Sequence, residues 1–167
     1  KKVSGYIADT QRCYQGNYYA IFPQLSLSGD LGSGISNQMV LLLNSLGMEK
    51  TDADNDNLTV TPFMQTSDSG YAVTENDQIQ GQYILGAVST NAISADSSDS
   101  DSEDEDDKSD ATDTDTKTAR LTVLASASMI SSDITDQLTT LDNLTLFVNS
   151  VTENFDNVNN VAIEAKS

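Results

Sequence analysis

The chain has 167 residues, enough for one domain with a sizeable core. Eight Lys and Arg stand against 26 Asp and Glu, a formal net charge of −18. That balance excludes a nucleic-acid footprint and disfavours an anionic membrane surface. There is no His and only one Cys, Cys13, which removes Ser-His-Asp and Cys-His catalysis, imidazole metal ligation and any internal disulfide.

Taken in order, residues 3–8 read as a short strand and 9–16 as a polar, turn-rich link. Residues 17–22, rich in Tyr and Ile, form the next strand and stop at Pro23. Residues 24–36 carry three glycines and four serines and read as an irregular loop. An apolar run of strand length follows at 38–44, then a surface connection at 45–57. Along 58–66, Leu58, Val60, Pro62 and Met64 alternate onto one side. Pro62 has no N–H to give a ladder, so this strand belongs at or near an edge. Residues 67–80 are polar with a few apolar positions, and 83–88 is a buried-type strand.

Residues 95–118 are low complexity. Between 96 and 118 lie eleven acids and two lysines, a charge of −9 and half the total. Such a segment cannot offset its ordering entropy by burial, so a disordered acidic insertion is expected there. Loop-closure cost grows slowly with length, which makes it tolerable. It separates two strands that read as neighbours, 83–88 and 120–125. One domain over 1–167, interrupted in a hairpin or crossover, is therefore expected.

The last third supplies the architectural expectation. Residues 121–125 form a short apolar run that closes in Ser126, Ala127 and Ser128. A run of that length suits a strand buried on both faces of a parallel sheet. Leu144, Phe147, Val148, Val151 and Phe155 recur at spacings of three or four, one face of a helix. Asp142 or Asn143 would cap it. Strand, small-residue loop and amphipathic helix make half a βαβ unit, and 158–165 offers a further short strand. The fold class expected is α/β, a layered sheet flanked by helices.

The chemistry-bearing residues are few. Gln65, Thr66, Ser67 and Asp68 end a strand, where open α/β sheets bind ligands; the plainer account is turn and cap hydrogen bonding. Ser126 and Ser128 follow the strongest strand and invite the same two accounts. Asp52, Asp54 and Asp56 alternate as at the start of an EF-hand loop, but Asn57 replaces the sixth-position Gly and Phe63 the twelfth-position Glu. No metal site and no cofactor are therefore assigned. Cys13 lies between Arg12, which could lower its pKa, and Tyr14, with no base partner. The glycines from Gly29 to Gly34 lack the Lys of a phosphate loop. Tyr14, Tyr18, Tyr19 and Phe22 could line a sugar-binding surface. Strand alternation puts Tyr18 and Tyr19 on opposite faces, so at least one should be core.

The longest apolar run, residues 39–43, is far too short to cross a bilayer, and no signal peptide is visible. The start at Lys1, without Met, suggests a piece of a longer protein.

Five segments in order resemble the GldG-like auxiliary components of ABC transport systems. They are Gly-Asn-Tyr-Tyr-Ala-Ile-Phe-Pro at 16–23, Leu-Thr-Val-Thr-Pro-Phe-Met-Gln-Thr-Ser-Asp at 58–68, and Gly-Gln-Tyr-Ile-Leu-Gly-Ala-Val at 81–88. The others are Arg-Leu-Thr-Val-Leu-Ala-Ser-Ala-Ser-Met-Ile at 120–130 and Asn-Leu-Thr-Leu-Phe-Val-Asn-Ser-Val at 143–151. The family's Gly-Asp-Ser is here Ser126-Ala127-Ser128, without the carboxylate. The resemblance implies a fold flavodoxin-like or glutamine-amidotransferase-like in outline. It implies a non-enzymatic domain outside the membrane, acting by protein or ligand binding. Its partners would be an ABC permease and ATPase, with membrane contact only through spans outside this fragment. The alternative class is an extracellular adhesion or glycan- and calcium-binding module. A degenerate hydrolase using Cys13 or Ser67 is the remaining one.

Overall fold

The computed structural model describes residues 1–51, 57–93 and 117–155. Eleven strands succeed one another: β1 (Lys2–Asp9), β2 (Cys13–Tyr14), β3 (Asn17–Ile21), β4 (Gln24–Leu25), β5 (Leu42–Leu43), β6 (Leu46–Met48), β7 (Leu58–Gln65), β8 (Gly70–Val73), β9 (Gln78–Gln80), β10 (Ile84–Ile93) and β11 (Lys117–Leu124). Two short helices follow, α1 (Ser132–Thr135) and α2 (Asn143–Thr152), with single 3-10 turns at Gly29–Gly32 and Ala127–Ile130. The expected strand at 158–165 and most of the acidic insertion lie outside the described residues.

Among the described residues every strand pairing is antiparallel. The main sheet runs β4-β7-β10-β6-β1-β8-β9, with β11 also on β10, and it curls into a half-barrel. A second sheet runs β2-β3-β5. The layered α/β expectation, flavodoxin-like or amidotransferase-like, is therefore wrong. Residues 120–125 do not behave as a parallel strand buried on both faces. β11 returns beside β10 in unbroken register from Gly86↔Leu124 to Ile93↔Lys117. Leu121 and Val123 project into solvent, 61% and 37% exposed. The pattern Leu121, Thr122, Val123 is a period of two, the signature of a strand with two unlike faces. Nor do helices among the described residues cover both faces of the sheet. One ten-residue helix and one single turn cannot make two layers.

The core lies inside the curl. Ile7, Phe63, Met64, Leu85 and Val88 from the main sheet meet Ile21, Val40, Leu42, Met129 and Leu146. β7 is not an edge strand along its whole length: β10 flanks it on one side and the two-residue β4 part of the other. Pro62 thus sits where the second neighbour is missing for most of the strand. Gly5 has φ +85 at a register shift in β1, and a Cβ there would collide with the Val73 carbonyl. Only glycine fits that bulge.

Residues 39–43 contribute less ladder than their composition suggests. Gln38 and Asn44, with φ 53 and 49, turn the chain at both ends, and only Leu42–Leu43 pairs with β3. Val40, Leu41 and Leu42 are nonetheless buried. Their backbone groups need partners, and side chains from α2 and its approach supply some of them.

α2 is inverted relative to its sequence pattern. Asn143, Asn149 and Ser150 are buried with Leu146, whereas Leu144, Val148 and Val151 are exposed. Asn143 accepts from Leu41 N at 2.9 Å and donates to Leu41 O at 2.8 Å and Met129 O at 3.2 Å. Asn149 donates to Leu31 O at 3.1 Å and Ser33 O at 2.7 Å. Asp142 stands at the N-cap position, but its carboxylate does not cap the helix. It accepts instead from the backbone N–H groups of Ser36, Asn37 and Met39. The polar face of the helix thus binds the irregular chain between 31 and 41. Of the five apolar residues expected to face the core, only Phe147 packs against it.

Candidate functional site

The residues singled out after β7 form a corner, built around a buried carboxylate that the sequence did not point to. Asp9 ends β1 and has no exposed surface. Its Oδ1 accepts from Gln11 N and Arg12 N, both at 2.9 Å, an Asx-type turn. Oδ2 accepts from Ser67 N at 2.7 Å, and Oδ1 also from Ser67 Oγ at 2.8 Å. Burial raises the carboxyl pKa, but these hydrogen bonds to the ionised form outweigh it and hold the group below its ordinary value.

Ser67 is itself buried, and its Oγ accepts from Ser69 N at 3.1 Å. Thr66 is buried beside it: its N–H donates to Tyr83 O and its Oγ1 accepts from Tyr83 N, both at 2.9 Å. Gln65 is a ladder residue between Gln24 and Ile84. Asp68 is exposed, and its carbonyl accepts from Gln80 Nε2 at 3.3 Å. The hydroxyls of Thr66 and Ser67 are therefore bound internally and tie β7, β1 and β10 together.

Ser126 and Ser128 form a clamp on Leu43. Ser126 Oγ donates to Leu43 O at 2.7 Å, and Leu43 N donates to Ser128 Oγ at 2.8 Å. The two hydroxyls lie 2.7 Å apart. Because Ser126 gives its one proton to Leu43, Ser128 is the donor between them. Together they act as a substitute strand edge for β5. Among the described residues no hydrogen bond joins this clamp to the Ser67 corner, so the two candidate groups do not converge on one site.

Cys13 pairs in β2 with Ile21, and its Sγ lies 3.9 Å from Thr10 O. Arg12 does not serve the thiol: its Nε donates to Phe22 O at 2.7 Å and its Nη2 to Pro23 O at 3.4 Å. The 3-10 turn at Gly29–Gly32 lies under α2 with Leu31 buried, and the Leu31 carbonyl accepts from Asn149. Among the described residues no group of three or more His, Cys, Asp or Glu is placed to hold a metal ion. Asp52, Asp54 and Asp56 lie outside them.

The tyrosines depart from the expected arrangement. Tyr18 and Tyr19 are both exposed, 50% and 37%, while Ala20 and Ile21 are both buried. The first half of β3 leaves the protein body and only its second half is core. Tyr14 packs edge-on against Phe22, with ring centroids 5.9 Å apart. Tyr18 and Tyr19 instead line a cleft of about 290 Å³ with Tyr71, Val73, Gln78, Thr10 and Ala8. Tyr71 and Gln78 come from 67–80, which reads from sequence as polar with a few apolar positions. The missed signal was the alternation of Tyr71 and Val73 beside Gln78 and Gln80 across a tight turn.

Comparison of the chain with family models, with curated proteins and with solved structures finds no match. No helix among the described residues is long and apolar enough to cross a membrane.

Proposed function

We propose that this is a non-enzymatic contact domain, the extracytoplasmic part of an auxiliary protein of an ABC transport system. The family reading rests on the five ordered segments alone, since the fold it implied is not the one found, and the apolar stripe on α2 supports contact as the mode of action. Leu144, Val148, Val151 and Phe155 are 56%, 44%, 42% and 62% exposed along one side of the helix and its C-terminal turn. Four large apolar side chains in one row are the anchors of a helix-in-groove interface. The fold can leave them outside because Asp142, Asn143 and Asn149 attach the helix from its other side.

Charge narrows the partner. Residues 121–155 hold four acids, Asp133, Asp136, Asp142 and Glu153, and no Lys or Arg. A second copy would bring like charge against like. A subunit offering an apolar groove with a basic rim fits better, and the permease of the same system is that subunit in our reading, with the ATPase joined through it.

The test is co-purification of the parent protein with the permease and ATPase encoded beside it. Wild type is expected to retain them, and Leu144→Glu with Val148→Glu to lose at least about tenfold of the association. Both side chains are exposed, so the fold should stand, as circular dichroism would check. A wild-type parent that binds neither subunit overturns the transport reading. Retention that survives the double variant overturns only the stripe.

A further inference from the structure

We propose that the cleft between β3 and the β1-β8-β9 part of the sheet binds a neutral saccharide, one or two rings at the end of a glycan. This inference is independent of the transport reading. The cleft is lined by Tyr18, Tyr19 and Tyr71, with Thr10 and Gln78 at its polar positions. Three of the chain's six tyrosines therefore converge on one depression. β1 and β8 pair as Ala8↔Tyr71, and β8 and β9 as Val73↔Gln78, so the floor is a continuous antiparallel surface. Tyr18 and Tyr19 rise beside it from the second sheet.

The chemistry selects the ligand. A pyranose has an apolar face of C–H bonds that lies against an aromatic ring, and a rim of hydroxyls that both donate and accept. Tyrosine supplies the ring and a hydroxyl together. Among the described residues, no hydrogen bond engages the phenol groups of Tyr18, Tyr19 and Tyr71 or the Gln78 carboxamide. The Thr10 hydroxyl donates to Ser69 O at 3.4 Å and remains able to accept. No charged residue lines the cleft, and the chain carries a net charge of −18. An anionic sugar or phosphate is thereby disfavoured.

A compact cation is the rival occupant, since aromatic rings attract it. Such a cage needs rings that close on one point. The only aromatic rings in mutual contact among the described residues are Tyr14 and Phe22. Tyr18, Tyr19 and Tyr71 make no ring contact with one another, which fits a saccharide laid along the cleft better than a closed cage. The volume, about 290 Å³, is at the small end for ligand sites, near 300 Å³. That limits the occupant to terminal rings.

The test uses a printed array of neutral oligosaccharides. Titrations with cellobiose, chitobiose and maltose, and one with tetramethylammonium, follow. The chain has no Trp, and three of its six tyrosines line the cleft, so tyrosine emission responds to its occupancy. A saturable response to at least one neutral saccharide is expected. Tyr18→Ala or Gln78→Ala should weaken it by about tenfold, whereas Tyr18→Phe, which keeps the ring, should retain most of it. Tyr18 and Gln78 are exposed, so the variants should fold, as circular dichroism would check. Three results would each overturn the proposal: no saturable response to any saccharide; binding unchanged when Tyr18→Ala and Gln78→Ala are combined; or saturation by tetramethylammonium alone.

Discussion

Asp9→Ala is expected to lower the unfolding free energy by about 3–5 kcal/mol, measured by urea denaturation. The carboxylate accepts four hydrogen bonds, two of them from Ser67 at 2.7 and 2.8 Å. Removing it leaves the Ser67 N–H and hydroxyl buried without their acceptor, and each such group costs about 1–3 kcal/mol. The Gln11 and Arg12 amides are only partly buried. Water can reach them, so they add less. Ser67→Ala removes one donor and leaves the carboxylate three others. Its expected cost is nearer 1 kcal/mol. A Ser67→Ala effect as large as that of Asp9→Ala would show that the corner is not held by the carboxylate.

The same group makes stability depend on pH in a fixed direction. Its folded pKa lies below the ordinary 3.8, because hydrogen bonds to the ionised form outweigh the opposing effect of burial. The folded protein therefore binds this proton less readily than the unfolded chain does. The stabilisation is fully present above pH 3.8 and is lost as pH falls through the folded pKa. With 26 acids in the chain, the total acid response is shared. The difference between wild type and Asp9→Asn isolates this part. It should shrink below pH 3.8, and a constant difference would refute it.

Much of the strand pattern was readable locally. Residues 3–8, 17–22, 58–66, 83–88 and 120–125 each coincide with all or part of a strand, because alternation and β-branched content act within a few residues. The two strands flanking the acidic insertion pair directly, so the connection is a hairpin and not a crossover. Sheet direction does not follow from Leu121 and Val123, whose apolar character suggests burial on both sides although both are exposed. The candidate hydroxyls were found, but what holds them was not. Asp9 lies 58 residues from Ser67, and Leu43 lies 83 residues from Ser126. Such pairings leave no trace in a local window. The tyrosine cleft was legible by half: Tyr18 and Tyr19 stood out, whereas Tyr71 and Gln78 arrive through β8 and β9.

The inverted helix gives the sharpest contrast between pattern and structure, and a matched pair of substitutions exposes it. By its apolar period, α2 should tolerate Asn143→Leu and suffer from Leu144→Asn. The structure reverses both expectations. Asn143 is 1% exposed and bonds Leu41 N, Leu41 O and Met129 O. Leucine keeps the branched outline but is bulkier, and it leaves all three groups without their partner. At about 1 kcal/mol or more for each, the expected loss is about 3 kcal/mol. Leu144 is 56% exposed, and its change to Asn should stay within about 0.5 kcal/mol. Urea denaturation of the two variants, with amide hydrogen exchange at Leu41, distinguishes the cases. The Leu41 amide donates to the Asn143 side chain and should lose its protection in Asn143→Leu alone. If Leu144→Asn proved the more damaging, the helix would have its apolar stripe on the core, and the row proposed for partner contact would be buried.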